Sequence, residues 1–581
     1  MDVSPPLTPV TTTPLPTKAP RQWPIVSVST WLLCALFFGP FLVYPVGRVL
    51  WGALVQDGVF TPSLLLLPWQ NTNVSESVRN SFVIGICTTL AASLIAFPLA
   101  YVSARLRFPG KNLLTGLLLV PLLLPPFVGA VGLKQMLGYQ GIINTLMQGW
   151  GLIERPILWL DFAAPMVIAV SAFHLYPLIY LNLSAAWANI DPTLEEAAEN
   201  QGADGWTIFR TVTLPLLLPG FMSGALIVFI FAFTDLGTPL VFNYDRVAAV
   251  RIYDARMVPS DPTGYVLAFW LTIVAAIVFW TSRRFLENNR IATVSRATGA
   301  ARESQARGWQ IPLIYGMFGC IIGLALLPHI GVVLASLAND WTNTLWPDWT
   351  LENYTRLLSS DSENAQLAVN SIKLSLICAT ASMSIDVIGG FALAYALVRG
   401  RVWGRGILDT IAMMPLALPG LILAFGLLMA FLDTPLDPLQ YSPIPLLIIS
   451  YAVRRFPYAL RAVSSGLQQM SVTLEEASAN LGATPWQTLW HVTRPLVTAN
   501  LIAAGLLTFA FAVLEVSDSL ILSSDSDTAP IAKAIYQLSL NVAGGTFMAC
   551  ALGVIGMLFL TVTFMLANRL LGKRLGSMFR L

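Results

Sequence analysis

Residues 194–216 read LEEAAENQGADGWTIFRTVTLPL, and residues 474–496 read LEEASANLGATPWQTLWHVTRPL. The stretches lie 280 residues apart, align without a gap and share about half their residues, which marks an internal repeat. Each is polar and amphipathic, yet each sits between long apolar runs. Asp191 and Ser471 stand where a helix N-cap belongs, and Glu195 and Glu475 follow in the first turns, where negative charge suits the macrodipole. Gly202 and Gly482 suit a left-handed helix stop. Trp206 and Trp486 open a second short helix, expected to end before Pro215 or Pro495. One copy alone would pass for a helical hairpin lying on a membrane. Two copies at a fixed offset point to a polar surface presented twice to a partner.

The cassettes resemble the signature of the membrane subunits of binding-protein-dependent ABC importers: Glu-Ala-Ala, three residues, Gly, nine residues, Ile, one residue, Leu-Pro. Glu196-Ala197-Ala198, Gly202, Val212 and Leu214-Pro215 keep that spacing, with Val in the Ile slot. The second copy keeps it at Glu476-Ala477, Gly482, Val492 and Pro495, and departs from it at Ser478 and Arg494. The resemblance implies coupling loops at 190–218 and 470–498 that dock on a cytoplasmic ATPase. Their docking residues would be Glu195, Glu196, Ala197, Ala198, Gly202 and Pro215 in the first copy, and Glu475, Glu476, Ala477, Gly482 and Pro495 in the second. It also implies two copies of an ABC ATPase subunit, with ATP and Mg2+ bound by that partner and no cofactor on this chain. A periplasmic solute-binding protein and a bacterial inner membrane complete the picture, and nucleic acid has no place in it. The stretches TDLGTP (234–239) and RIYDAR (251–256), in a fused two-half chain, resemble the ferric-iron branch. That branch is close to permeases for thiamine, polyamines and aminoethylphosphonate.

Composition agrees with an all-α polytopic membrane protein. Of 581 residues, 56% are hydrophobic and 11% charged, too few charges for the surface of a soluble domain of this length. The five cysteines, at 34, 87, 320, 378 and 550, lie in apolar runs without CxxC spacing, so buried free thiols are expected. Three histidines, none near a second ligand, give no metal site. No nucleophile–base constellation supports a membrane enzyme.

Residues 1–24, rich in Pro and Thr, read as a disordered cytoplasmic tail. Apolar runs of roughly 20 residues, long enough to cross a bilayer, fall near 25–51, 80–104, 113–137, 163–187, 218–243 and 263–283. A second set falls near 310–337, 369–398, 407–432, 442–463, 498–522 and 545–569. The chain therefore divides into a first half, 25–285, a cytoplasmic linker, 286–308, and a second half, 309–581, with about twelve transmembrane helices in two homologous sets of six. Further pairings extend the repeat: Asn80-Ser81 with Asn370-Ser371, Gly110 with Gly404, Pro121 with Pro415, Pro125 with Pro419, and Pro177 with Pro457. Six arginines in 283–308, against five acids and one arginine in 339–368, put the first segment inside and the second outside. Both termini and both cassettes then face the cytoplasm.

Two features point to a translocation pathway. Pro125 and Pro419 break the third and ninth spans at matching places, and irregular backbone in a membrane must face protein or water. Such breaks also occur as plain packing kinks. Asp235 and Glu515 are intramembrane carboxylates at matching positions, whereas Asp386 and Asp518 have no acidic counterpart. The matched pair could attract a cation across a pseudo-two-fold axis, or be neutralised by nearby Arg or Lys. An ion-coupled secondary transporter would share the two sets of six spans, but the loop SARLRFPGK lacks the basic motif of the major facilitators, and two ATPase-docking cassettes would have no use there.

The sidedness is testable by cysteine labelling. With a membrane-impermeant reagent in intact cells, Ser362→Cys should react and Gly205→Cys should not; the reverse pattern would overturn the topology.

Overall fold

The computed structural model describes residues 24–56, 58–288, 303–359, 362–400, 402–541 and 544–571. The tail at 1–23, most of the linker and the end of the chain lie outside them, so the tail and C-terminal readings stay as expectations. Among the described residues nine helices are long and apolar enough to cross a membrane. Two further pairs, Lys111–Leu123 with Pro126–Gly149 and Arg405–Ala417 with Gly420–Phe431, bend by 89° and 102° at a short break. These are the third and ninth spans. The tenth is Ile444–Gln469, which Arg454, Arg455 and Arg461 remove from the purely apolar class. With it the number reaches the twelve expected from the sequence.

One expectation fails locally. The second cassette helix does not stop before its proline. Gly205–Ile208 passes through a π turn, Phe209–Thr213, directly into Leu214–Phe233. The second half does the same through Leu489–Thr493 into Arg494–Val513. In both, the residue before the proline donates its N–H to the carbonyl five residues back, Leu214 to Phe209 and Arg494 to Leu489. That one-residue shift of register lets the helix take in a ring that has no N–H to give. Gly39–Val43 before Tyr44-Pro45 repeats the device.

The two halves exchange their first helices. Pro24–Phe38 and Tyr44–Gly52 lie against the second half, with Trp31 Nε1 donating to Trp403 O at 2.9 Å and the Phe38 and Phe456 rings 5.2 Å apart. Gln310–Ser336 lies against the first, with Tyr315 OH donating to Pro109 O at 2.7 Å and the Phe108 and Phe318 rings 5.8 Å apart. Each crossing presses backbone on backbone at a glycine of the bent spans. A Cβ on Gly132 would stand 2.6 Å from Pro328 O, and one on Gly426 would stand 2.8 Å from Pro45 O. Only glycine fits such an approach.

The structure also corrects the register of the repeat. Ser81 Oγ accepts from Ala248 N–H at 2.9 Å, and Ser375 Oγ accepts from Ile531 N–H at 2.8 Å. Ser77 and Ser371 each donate to a carbonyl three residues back, at 2.8 Å. Ser81 thus answers Ser375, one helical turn beyond the Ser371 that matching of Asn-Ser pairs suggests. The five cysteines are all free; Cys34, Cys378 and Cys550 are buried, whereas Cys320 is exposed on the helix surface.

Past the undescribed part of the linker, Ser304–Gln305 adds to Leu106–Arg107 as a short parallel strand, and Ala306 N–H donates to Arg107 O at 3.0 Å. Glu303 meets Lys111 at 3.1 Å and Arg107 at 2.6 Å. Hydrogen bonding from Arg107 above all, and then from Lys111, holds the Glu303 carboxyl below the usual carboxylate range. A depressed folded pKa contributes stability that is present above the ordinary value of about 4.3 and is lost as pH falls through the folded one. In this partly exposed site the pair is worth about 0.5–1 kcal/mol. Glu303→Gln should therefore speed exchange of the Ala306 amide a few-fold at neutral pH, and added salt should shrink the difference. Equal exchange in both proteins would remove the clamp.

Candidate coupling cassettes and intramembrane charge cluster

Both cassettes are built alike. Asp191 caps Pro192–Asn200 by accepting from Thr193 N–H at 3.0 Å, and Ser471 caps Val472–Asn480 by accepting from Thr473 N–H at 3.3 Å. Gly202 and Gly482 stop these helices with φ of +84° and +87°. The next residues close back over the turn: Ala203 N–H donates to Ala198 O at 3.1 Å, and Ala483 N–H to Ser478 O at 3.2 Å. Asp204 and Thr484 cap the second helices, Thr484 in a reciprocal box with Gln487. Donation by the Thr207 hydroxyl holds the Asp204 carboxyl below its ordinary range.

What the cassettes expose is apolar as well as acidic. Glu196 and Glu476 face outward, as do Trp206 and Trp486, each 67% exposed. Trp206 stacks on Phe209, and Trp486 on Trp490. The second cassette adds Leu481, 89% exposed, and Arg494 over the Trp490 ring. Its Ser478 forms a hydrogen bond with Thr488 at 2.9 Å, which gives that departure from the signature a local role. Ala197 and Ala477 are exposed, as are Pro215 and Pro495 at the return to the spans.

Glu195 and Glu475 do not join that outer surface. Glu195 pairs with Arg105 and accepts from Thr213 Oγ1 at 2.8 Å. Glu475 meets Arg399 Nε at 2.9 Å and accepts from Thr493 Oγ1 at 2.8 Å. Sequence reading placed both glutamates in a helix first turn without finding their partners. The signal was there: Arg105 and Arg399 each end a long apolar run.

Pro125 and Pro419 sit in matching breaks, each preceded by an extended leucine, Leu124 at ψ 135° and Leu418 at ψ 128°. What lies beside the break differs between the two halves. In the first, His174 Nδ1 lies 2.8 Å from Pro121 O, and Tyr176 OH donates to Leu118 O at 2.8 Å. In the second, Arg454, which occupies the place of His174, lays its guanidinium where any Cβ on Gly420 would be.

The matched carboxylates differ in the same way. Glu515 is shared between Arg454 and Arg455, and Asp518 takes Arg454 at 3.3 Å and the Ser450 hydroxyl at 3.0 Å. Asp235 accepts from Gly237 N–H at 3.1 Å, and among the described residues no basic side chain is paired with it. The turns that follow the two acids meet: a Cβ on Gly237 would stand 3.0 Å from Val516 Cγ1. Asp386, fully buried in Glu363–Val398, has no hydrogen-bond partner for either oxygen among the described residues. The arginine pair was legible as two charges in an apolar run, and its partners were not.

Comparison with known proteins fits this architecture. The profile of the family described as binding-protein-dependent transport system inner membrane component matches twice, at residues 96–289 and 386–577. The chain belongs to this family. It is a polytopic inner-membrane component of a transport system, with the family's domain present in both halves. Similar proteins include a putative ferric transport system permease protein of Haemophilus influenzae, 26% identical over 84% of this chain and 76% of its own length. A ferric transport system permease protein of Actinobacillus pleuropneumoniae is 26% identical over 84% of this chain and 70% of its own length. A molybdenum transport system permease protein of Haemophilus influenzae is 32% identical over 29% of this chain and 71% of its own length.

The charge cluster separates two otherwise matched acids. Removing Glu515 leaves two arginines against Asp518 alone, and breaking such a buried pair costs about 3–5 kcal/mol. Asp235→Asn keeps an oxygen that can accept from Gly237 N–H and strands no arginine, so it costs about 1 kcal/mol or less. Thermal unfolding of the purified protein should therefore drop much further for Glu515→Gln than for Asp235→Asn. Equal losses would mean that the cluster does not hold the second half together.

Proposed function

We propose that this chain is the complete membrane pathway of an ATP-driven ferric iron importer, with both permease halves in one polypeptide. A periplasmic binding protein delivers the cargo. Two copies of a separate cytoplasmic ATPase, which bind ATP and Mg2+, dock on the cassettes and drive alternating access. This chain carries out no hydrolysis of its own. Both termini and both cassettes face the cytoplasm in this reading, as the arginine-rich linker favours.

The observation that carries the proposal is the pair of cassettes. They share caps, left-handed glycines and exposed tryptophans, and they belong to a family named for its dependence on binding proteins. Iron as cargo rests on the names of the two ferric relatives. Among the described residues no three His, Cys, Asp or Glu side chains gather as metal ligands would. The proposal accordingly assigns the choice of cargo to the binding protein and gives Asp235 and Glu515, with the breaks at Pro125 and Pro419, to the pathway walls.

The coupling glycines provide the test. A side chain on Gly202 or Gly482 meets open space but must take a φ above +80°, which costs on the order of 1 kcal/mol or more. Gly202→Arg and Gly482→Arg should insert normally yet recruit the ATPase weakly or hydrolyse ATP without ferric iron uptake. Gly202→Arg should be the more damaging, because Leu481 and Trp490 give the second cassette additional apolar contact. Normal uptake in both, at normal membrane levels, would sink the docking assignment.

A further inference from the structure

We propose that the ion pairs Arg105–Glu195 and Arg399–Glu475 are the links that carry cassette movement into the membrane, so that Glu195 and Glu475 are positioning residues and not part of the docking surface. The inference rests on the reading that the cassettes receive an ATPase.

Three observations support it. First, the link is made twice with the same three residue types: an arginine at the end of a long span, a glutamate in the cassette, and a threonine, Thr213 or Thr493, at the base of the returning span. Second, the two copies reach it through different lengths of chain. Arg105 and Glu195 are 90 residues apart, whereas Arg399 and Glu475 are 76 apart (475 less 399). The intervening loops and spans differ by 14 residues, yet the contact is kept. Third, Glu195 is the buried residue of Pro192–Asn200, and the rest of that helix is exposed or partly so. A surface helix ordinarily turns an apolar stripe inward. This one turns a carboxylate, held by a guanidinium and a hydroxyl.

The chemistry suits a transmitted displacement. Apolar side chains can slide past one another at little cost, whereas the charge-assisted hydrogen bond of Arg105 to Glu195 has a preferred distance and direction, and Arg399 and Glu475 are held by close charge contact at 2.9 Å. Both pairs are largely shielded from water, with side-chain exposures of 17% and 11% in the first and 12% and 12% in the second. Movement of either cassette therefore pulls on the end of a helix of 34 or 36 residues, Thr72–Arg105 or Glu363–Val398. The second link branches further: Arg399 Nη2 also donates to Leu467 O at 2.8 Å and Met470 O at 2.9 Å, gripping the end of Ile444–Gln469. The first link lies beside the strand where the linker lands, since Leu106–Arg107 follows Arg105 directly.

The experiment uses the whole complex, permease with ATPase and binding protein, in proteoliposomes. Glu195→Gln, Arg105→Gln and the exchanged pair Arg105→Glu with Glu195→Arg are compared with Glu196→Arg on the outer face, and the same set is made at Arg399 and Glu475. ATPase co-purification and cargo imported per ATP hydrolysed are both read. The single variants should keep the ATPase bound while import per ATP falls roughly tenfold, within the usual range of coupling energies. The exchanged pair should recover part of that loss, and Glu196→Arg should lose the ATPase itself. Arg399→Gln should uncouple more than Arg105→Gln. Unchanged import per ATP in Glu195→Gln, or no recovery in a correctly inserted exchanged pair, overturns the link. Loss of the ATPase in Glu195→Gln as severe as in Glu196→Arg returns Glu195 to the docking surface. Failure of the unaltered chain to bind an ATPase at all overturns the docking reading itself.

Discussion

At Gly132 and Gly426 two helices approach until backbone touches backbone, and the joining of the halves depends on those crossings. Between spans in lipid, burial of apolar surface gives little net attraction, so association relies on close packing and internal hydrogen bonds. Each crossing brings the first helix of one half onto the bent span of the other. Each crossing segment is also tied near its N-terminal end: Trp31 to Trp403 O, and Tyr315 to Pro109 O. At the breaks themselves the surroundings are polar: His174 meets Pro121 O, a carbonyl beside the first break, and the Arg454 guanidinium lies against Gly420 at the second.

The polar cassettes were legible because they contradict their surroundings. A helix cap, a left-handed glycine and a tryptophan at fixed spacing state a conformation that tertiary packing does not need to complete, and Asp191, Gly202 and Gly482 take the conformations expected of them. The span count was legible for the same reason, since a bilayer sets the length of an apolar run. Long-range pairing was not. Arg105 and Glu195 are each ordinary residues, and their contact across 90 positions leaves no local periodicity. Ser81 was matched to Ser371 when its counterpart is Ser375, because serines recur one helical turn apart on one face and residue identity cannot choose between turns. The helix stop expected at Pro215 failed for a physical reason, the π turn that precedes each such proline.

The halves share a backbone and differ in charge. Where the first places His174 and Asp235, the second places Arg454, Arg455, Glu515 and Asp518 in mutual contact. A buried network of that kind favours one arrangement of three elements, because any displacement strands a charge in a medium that cannot solvate it. The first half has no such penalty at the same place. Stiffness is thus distributed unevenly around an axis that the backbone treats as nearly symmetric.

The exchange of first helices has a consequence for assembly. Two separate half-chains would have to find each other in the membrane, and each could equally pair with a copy of itself. A single chain holds its second half at a high effective concentration relative to its first, so the unlike pairing forms before any competing one. That removes the demand, general to two-fold homodimers, that a surface complement itself. Gly132 needs only to fit Pro328, and Gly426 only Pro45. Stoichiometry is written into the covalent chain, and each seam is free to diverge from the other.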